Sequence, residues 1–453
     1  MSARTHVDVP APGRIRPFQP PAVERVQLSC GVPLQVARMP RIPLVTLTLL
    51  LDAAESGIPA EAAGLAVLTG RALEGGTSRR TAAELAEALE ALGTSVGVRT
   101  GWDSTVMAIT CVADRTLEAF DLLAEMALDP AFPADEVERL RSQRLAQIEH
   151  ELADPRALAA HSAARYLYAG DEPYGRRLQG ERTSVEALDR EAVKEYHART
   201  YRSGGAAIVA AGDVDTQALA ARIDQRFARW SGDGPGRPAL ACVSRSAEPR
   251  VWIVHREDAV QSEIRIGHVG AARTIPDFFA LRVFNEILGG LFSSRLNLNL
   301  REKHGFTYGV RSRFDLRRNR GPFTVSTAVE TQVTAAAVRE ALSELRAMVE
   351  AGPTQEEVES ARDYMAGVFP LQFETAAQVA TQVGRLWMYD LPDDEYERYR
   401  DRIRAVTPEA ALAAGRNHIR LSELQVVVVG DAERIRADLE ALDHGPVEVV
   451  GAH

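Results

Sequence analysis

The chain has 453 residues, of which 45% are hydrophobic and 26% are charged, and its formal net charge at pH 7 is -10. This length is enough to bury two substantial hydrophobic cores, so two or more domains are expected. The composition is typical of a soluble globular protein, and the acidic balance argues against a nucleic-acid-binding surface. The cysteines, Cys30, Cys111 and Cys242, lack C-x-x-C spacing, which indicates neither a disulfide framework nor a cysteine zinc site and favours a reducing compartment.

The first 22 residues are rich in proline and contain no apolar segment followed by a small-residue cleavage site. They therefore predict an extended tail rather than a secretory signal. Arginines in this tail would suit an organellar transit peptide, but Asp8 and the prolines oppose the amphipathic helix that such a peptide needs. The most apolar run, Ile42 to Leu51, is too short to cross a bilayer and is typical of a buried strand. We expect a cytoplasmic protein without membrane contact.

The first half of the sequence predicts a sheet with packed helices. Alternating apolar residues indicate strands, and apolar residues at helical spacing indicate helices. Thr81 is a typical N-cap, and Pro133-Ala134-Asp135-Glu136 suits a first helical turn. The predicted elements are strand, turn and strand over 26–38, a strand over 44–53, strands within 95–113, and helices over 60–74, 81–92, 115–128 and 133–152.

The second half of the sequence repeats this plan. Glu136-Val137-Glu138-x-x-Arg141 recurs as Glu357-Val358-Glu359-x-x-Arg362, 221 residues later. Ala211-Gly212-Asp213 matches Val429-Gly430-Asp431 at an offset of 218. These matches predict two homologous α+β domains, each an antiparallel-rich sheet with packed helices. A chance similarity between two unrelated α+β domains is the alternative.

Glycine and proline concentrate at one place between the two halves. The stretch Ser231-Gly-Asp-Gly-Pro-Gly-Arg-Pro238 opposes any regular element and predicts a linker that can bend. The predicted domains are an N-terminal tail over 1–22, a first domain over 23–230, a linker over 231–249 and a second domain over 250–453.

The segment over 291–309 carries the best candidate functional pair. Phe292, Leu296 and Leu300 recur at i, i+4 and i+8, which predicts a core-facing helical stripe. His304-Gly305 is expected to end this helix, because glycine tolerates the left-handed position after a helix. Arg301 on the last turn and Tyr308 at the start of the next strand can then point into a cavity, where they could hold a peptide carbonyl. An exposed Arg and a half-buried Tyr without a function are the alternative.

The sequence on both sides of this pair resembles that of a known protein family. Gly289-Gly290-Leu291-Phe292-Ser293-Ser294-Arg295-Leu296 and Arg301-Glu302-Lys303-His304-Gly305-Phe306-Thr307-Tyr308 are similar to the C-terminal-half signature of the pitrilysin/insulinase-like zinc metallopeptidases, which include mitochondrial processing peptidase. The resemblance covers about residues 22 to 440. It implies two related α+β domains that form a clamshell half around a cavity, with Arg301 and Tyr308 on the wall of the second domain, binding the substrate backbone near the scissile bond.

The zinc motif of this family is absent at the matching place. An H-x-x-E-H helix places two His ligands on one face and a Glu that takes a proton from the zinc-bound water. In the matching helix Val67 and Arg71 replace the two ligands, and Gly70 replaces the general base. Valine cannot coordinate zinc, and a guanidinium would repel it. We therefore expect no metal and no catalytic residue in this motif.

The family's third ligand, a Glu further along the chain, falls beside Ile148, Glu149 and Glu151. Either Glu could be a relic ligand, although a solvated helix carboxylate is the interpretation that we favour. No other pattern restores a site: the ten histidines form no i, i+4 pair, and nucleophile-elbow, P-loop and dinucleotide motifs are missing.

The chain thus keeps the substrate-binding half of the signature and lacks the catalytic half. The resemblance implies a pseudo-peptidase, the zinc-less subunit of a heterodimer whose homologous partner carries H-x-x-E-H and the zinc. Arg301 and Tyr308 would then act on a peptide held by the partner, and proteolysis would need both subunits. The alternative is an inactive scaffold or peptide-binding homodimer, similar to the processing-peptidase-like core proteins of respiratory complexes.

Overall fold

The structure is a computed structural model that describes residue 13 and residues 16–451. Most of the predicted N-terminal tail therefore lies outside the described residues. Residues 16–22 form no helix or strand. Phe18 packs against Phe369 and Phe373, with ring centroids 6.0 and 5.8 Å apart, so this segment is attached to the second half of the chain.

Two six-stranded sheets organise the molecule. The first has the order β1-β2-β6-β3-β5-β4 and is antiparallel except where β2 pairs with β6. Its strands are β1 (Val23–Gln27), β2 (Pro33–Arg38), β3 (Leu44–Leu51), β4 (Val96–Thr100), β5 (Thr105–Val112) and β6 (Ala206–Gly212). The apolar run in β3 is almost entirely buried, as its composition predicts.

The second sheet has the order β12-β7-β11-β8-β10-β9. Its strands are β7 (Arg250–His255), β8 (Gln261–Val269), β9 (Val310–Phe314), β10 (Pro322–Glu330), β11 (Gln425–Gly430) and β12 (Val447–Val450). From β7 to β9 the order repeats that from β2 to β4 in the first sheet. The two sheets differ at the other edge, where β1 runs antiparallel to β2 whereas β12 runs parallel to β7. The predicted α+β fold with a duplicated plan is confirmed.

Helices flank both sheets. They are α1 (Leu65–Ala72), α2 (Ala82–Ala91), α3 (Thr116–Leu128), α4 (Ala134–Ala153), α5 (Pro155–Leu167), α6 (Arg182–Ala187), α7 (Arg190–Thr200), α8 (Thr216–Phe227), α9 (Phe278–Asn285), α10 (Arg295–Asn297), α11 (Thr334–Glu350), α12 (Gln355–Val368), α13 (Ala376–Met388), α14 (Tyr399–Arg404), α15 (Pro408–His418) and α16 (Ala432–Glu440). Wider π-type turns extend α9 over Glu286–Gly290 and α10 over Leu298–Lys303. In the described part of the chain, no helix has the length and apolar character needed to cross a membrane.

The helix predicted over 60–74 begins later than expected. Gly64 has a φ of 94°, a left-handed conformation that breaks the helix, so α1 starts only at Leu65. The predicted N-cap at Thr81 is confirmed, because its side chain accepts from the Glu84 amide while the Glu84 carboxylate accepts from the Thr81 amide. This reciprocal arrangement satisfies two amides that the first turn of α2 leaves free.

The repeated Glu-Val-Glu-x-x-Arg motif makes the same contact in both halves. Arg141 in α4 donates to the carbonyl of Glu186 at 2.7 Å, and Arg362 in α12 donates to the carbonyl of Arg404 at 2.9 Å. Each acceptor lies near the end of a short helix, α6 in the first half and α14 in the second half, and these two helices occupy corresponding places in the repeat. The match in sequence therefore reflects a repeated packing arrangement.

The two halves exchange helices. α5 of the first half packs on β8 and β11 of the second sheet, and α13 of the second half packs on β3 and β6 of the first sheet. Gly384 in α13 permits this close approach, since a Cβ there would stand only 3.2 Å from Leu50 of β3. As a result, one hydrophobic core joins Leu50, Ala207 and Val209 to the apolar residues of the second half.

The segment predicted as the linker is anchored to both halves. Arg237 contacts Asp52 of the first half at 3.0 Å and Asp390 of the second half at 2.6 Å. Its guanidinium also lies 4.8 Å from the ring centroid of Trp387. Further along, Arg320 donates to the carbonyl of Cys242 at 2.8 Å. Glycine and proline keep the segment free of helix and strand, and these contacts oppose free bending.

Candidate functional site

The helix that carries Arg301 is shorter than its sequence pattern predicts. Leu296 and Leu300 are fully buried, as expected, but Phe292 is 70% exposed. The prediction that Phe292 belongs to the buried stripe is wrong, because α10 begins three residues later, at Arg295. Gly305 has a φ of 66°, which confirms the predicted left-handed position after the helix.

Tyr308 is fully exposed, whereas Arg301 is partly buried. The Arg301 guanidinium lies 4.1 Å from the ring centroid of Phe292, and its Nε is 3.6 Å from a carboxylate oxygen of Glu302. Tyr308 is 98% exposed, so its ring is more accessible than the half-buried tyrosine of the alternative interpretation. An aromatic side chain exposed to this extent on an ordered loop is available to a ligand or to another chain.

A buried amide joins the two ends of the segment that carries these two residues. Asn297 donates to the carbonyls of Leu291 at 3.1 Å and Val310 at 2.9 Å, and it accepts from the Val310 amide at 3.1 Å. Thr327 donates to the Gly309 carbonyl at 3.1 Å. The pair Arg301 and Tyr308 is therefore held by contacts that sequence analysis missed, since a single Asn in a helix gives no periodic signal.

A cavity of about 1030 Å³ lies between the two halves, but Arg301 and Tyr308 are not among its lining residues. The first half contributes faces of β3, β4 and β5 that include Thr46, Thr48 and Thr110. The second half contributes α13 and the loop between β9 and β10. Helix α13, rather than α10, covers this cavity. The position of Arg301 and Tyr308 on the wall of a substrate cavity therefore stays a prediction.

The degenerate zinc motif is closed by packing. Val67 and Arg71 are partly buried and line a void of only about 10 Å³ together with Leu140 and Arg144. A Cβ at Gly70 would stand 2.4 Å from Thr100 Oγ1 in β4, so no larger residue fits without moving that strand or its side chain. The space of a general base is occupied by the sheet.

Neither candidate relic ligand is free to bind a metal. Glu149 forms an ion pair with Arg182. Glu151 pairs with Arg144 at 2.5 Å and with His161 at 3.2 Å. Burial tends to raise the pKa of Glu151, but hydrogen bonds from His161 and Arg144 outweigh it and lower that pKa to about 2. The favoured interpretation as a solvated carboxylate is therefore wrong for Glu151, which belongs to a partly buried ion-pair cluster.

These residues do not fit zinc. Val67 has no donor atom, Arg71 carries a fixed positive charge, and the position of the base has no side chain. Among the residues that the structure describes, no group of three or more His, Cys, Asp or Glu side chains could hold a metal ion.

A buried carboxyl group that sequence analysis missed holds the start of α1. Glu55 is 1% exposed, and it accepts hydrogen bonds from the amides of Gly64 at 2.6 Å and Ala66 at 3.2 Å. Burial raises the pKa of Glu55 to about 8, although these amides and the charge of Arg176 oppose the shift. No periodicity marks this residue, because it lies in a single 3-10 turn, Glu55–Gly57, between β3 and α1.

Two family models match the chain. The model described as Insulinase (Peptidase family M16) matches residues 44–172, and the model described as Peptidase M16 inactive domain matches residues 187–365. Together they cover more than half of the sequence. The chain belongs to the M16 peptidase family.

Some relatives of this M16 chain are named as proteases, and another is named as a non-peptidase homolog. An uncharacterised zinc protease of Mycobacterium tuberculosis is 27% identical over 366 residues, which cover 80% of this chain and 83% of that protein. A non-peptidase homolog of Helicobacter pylori is 22% identical over 382 residues, which cover 82% and 85%. The crystal structure of a peptidase M16 inactive domain from Pseudomonas fluorescens has a TM-score of 0.84 at 26% identity and covers 90% of this chain and 98% of that one. With Val67, Gly70 and Arg71 at the motif, these matches support an inactive member of the M16 family.

Proposed function

We propose that this M16 chain is the zinc-less subunit of a heterodimeric metallopeptidase. The observation that carries the proposal is the exposure of Tyr308, at 98%, seven residues after Arg301 in a chain whose own zinc motif is closed. A pair that binds substrate for a partner must be accessible from the surface, and the full exposure of Tyr308 with the partial exposure of Arg301 supports this requirement. The partner would be a homologous subunit with H-x-x-E-H, and it would bring the zinc.

The pair suits a peptide held at the partner's active site. The Tyr308 hydroxyl would donate to the oxyanion that develops on the scissile carbonyl, and Arg301 would position a backbone carbonyl of the substrate. Asn297 joins Leu291 to Val310, the two ends of the segment that carries both residues, and this would help to keep the donors in place before the substrate arrives. The described cysteines are all free, which supports the reducing cytoplasm as the compartment.

The experiment compares the isolated chain with a mixture. Alone, the purified chain should bind no stoichiometric zinc in metal analysis and hydrolyse no peptide. With a homologous H-x-x-E-H subunit, gel filtration should show a heterodimer, and its peptidase activity should exceed that of either subunit. One tightly bound zinc per isolated chain, together with chelator-sensitive peptidase activity, would contradict the proposal.

The second candidate is an inactive scaffold or a peptide-binding homodimer. It is favoured by the relative named as a non-peptidase homolog and by the absence of Arg301 and Tyr308 from the lining of the central cavity. The same mixture separates the two candidates. Unchanged activity of the H-x-x-E-H subunit, with the chain eluting as a homodimer, would support the scaffold.

A further inference from the structure

The second half contains another cavity, of about 430 Å³, which we call the arginine cavity. It lies between α9 with its wider turn, β9, and α13. Five arginines line it, namely Arg273, Arg282, Arg311, Arg313 and Arg385. So many guanidinium groups around one cavity are unexpected in a chain with a net charge of -10.

Two of the five arginines are neutralised by carboxylates. Arg273 pairs with Glu395 at 2.7 Å, and Arg313 pairs with Asp315 at 3.2 Å. Both acids are shared with a further arginine, since Arg402 lies 2.8 Å from Glu395 and Arg317 lies 2.6 Å from Asp315. These two carboxylates therefore have no capacity left to balance the rest of the cavity.

The other three arginines have no carboxylate partner among the described residues. Arg282 and Arg311 form no ion pair there, and Arg385 donates only to the side-chain oxygen of Gln382, at 3.3 Å. The remaining lining carboxyl group belongs to Glu286. Burial raises its pKa, against the opposing charges of Arg282 and Arg311. Even in its ionised form, this one carboxylate balances only one of the three guanidinium charges. The cavity keeps an excess of positive charge, and concave walls concentrate the resulting field.

Aromatic side chains form the rest of the wall. Phe278, Phe369 and Tyr399 contribute apolar surface, and Tyr389 and Tyr396 contribute rings with hydroxyl groups. Burial raises the pKa of both Tyr389 and Tyr396 to about 12. Both hydroxyls therefore keep their protons at neutral pH and can donate hydrogen bonds to an anion.

We propose that the arginine cavity binds a peptide segment that carries a carboxylate next to an aromatic or large apolar side chain. Guanidinium groups bind carboxylates through paired, charge-assisted hydrogen bonds, and aromatic walls bury the neighbouring side chain. The volume lies within the usual range of ligand pockets, about 300–1,000 Å³. Because neither Arg301 nor Tyr308 lines this cavity, the inference stands apart from the proposed function and needs no partner subunit.

The test measures peptide binding to the isolated full-length chain by fluorescence anisotropy. The probe is a labelled, amidated heptapeptide with the central sequence Glu-Phe-Glu, and its counterpart carries Gln-Phe-Gln. The acidic peptide should bind at least tenfold more tightly, because its carboxylates form charge-assisted hydrogen bonds with the guanidinium groups and the amides of the counterpart do not. Equal binding of the two peptides would overturn the proposal.

Variants locate the binding. The double variant Arg282→Gln/Arg311→Gln should weaken the acidic peptide at least tenfold. Arg339→Gln/Arg434→Gln is the matched control, since both arginines are exposed on other helices and form no ion pair with a described residue. It removes the same charge and should leave binding within about twofold. Thermal melts exclude misfolding. An equal loss of affinity in both double variants would show that binding depends only on the net charge of the chain, and it would overturn the proposed site.

Two further measurements separate the sources of the anion and the role of the internal acid. Glu286→Gln removes the one lining carboxylate without an ion-pair partner and should tighten binding of the acidic peptide several-fold. Inorganic phosphate, at a concentration equal to the Kd of the acidic peptide, should displace that peptide only weakly, because phosphate lacks the aromatic side chain. Competition by phosphate as effective as by unlabelled peptide would replace the peptide ligand with a simple anion.

Discussion

Tyr166 of the first half stacks on Trp252 of the second half, with ring centroids 4.3 Å apart and an interplanar angle of 15°. Tyr166 lies in α5 and Trp252 in β7, so the stack lies where a helix of one half covers the sheet of the other. Arg245 lies over both rings, 5.4 and 5.7 Å from their centroids. With α13 making the equivalent crossing, each half completes the core of the other.

This exchange predicts cooperative unfolding of the whole chain. Trp252→Ala should lower the stability by about 3–5 kcal/mol, the usual cost of removing a large buried aromatic side chain. Differential scanning calorimetry should show one transition at a lower Tm rather than two. Tyr166→Phe is the mild control, because the stacked ring is kept. Two separate transitions, with only one shifted by Trp252→Ala, would show that the halves fold independently.

The closed zinc motif predicts that even a small side chain at Gly70 is costly. Gly70→Ala should destabilise the chain by about 1–3 kcal/mol, because the new Cβ would press on Thr100 Oγ1 and disturb its 2.8 Å contact with Thr105 Oγ1. In a Thr100→Ala background the same substitution should destabilise the chain less. Urea unfolding of the original chain, the two single variants and the double variant measures this difference as a coupling energy. A tolerated Gly70→Ala in the original chain would mean that the sheet leaves room for the lost base.

The sequence predicted strands β1 to β5, helices α1 to α4 and the duplication, because each of these rests on local periodicity or on a repeated motif. It placed Phe292 wrongly because the first turn of α10 depends on tertiary contacts such as those of Asn297. It gave no sign of the exchange of α5 and α13, because an amphipathic helix does not specify which sheet it covers. The arginine cavity could not be seen in the sequence either, because its lining residues come from five separate segments that only the tertiary fold brings together.

Glu55 predicts a pH dependence of stability. Its pKa is raised from 4.5 to about 8 in the folded chain, so between these values the folded state holds a proton that the unfolded state has lost. Stability should therefore fall as pH rises from about 5 to 8, by at most about 1.4 kcal/mol per pH unit from this group. Glu55→Gln should flatten the profile of chemical unfolding measured across this range. An identical slope in both proteins would show that Glu55 does not titrate there.

Tyr308 and Arg301 predict two different kinetic defects in the active complex. Tyr308→Phe should lower kcat on the order of 100-fold, about 3 kcal/mol, since it removes one donor from the oxyanion. Arg301→Ala should also raise KM, because the guanidinium would contact the peptide before the transition state. Tyr308→Phe should leave the Tm of the isolated chain unchanged, given that Tyr308 is 98% exposed, and a thermal melt of Arg301→Ala excludes misfolding of that variant. Tyr364→Phe, at another exposed tyrosine, is the matched control. Normal kinetics in both test variants would show that the chain shares the fold of active peptidases but that this pair takes no part in catalysis.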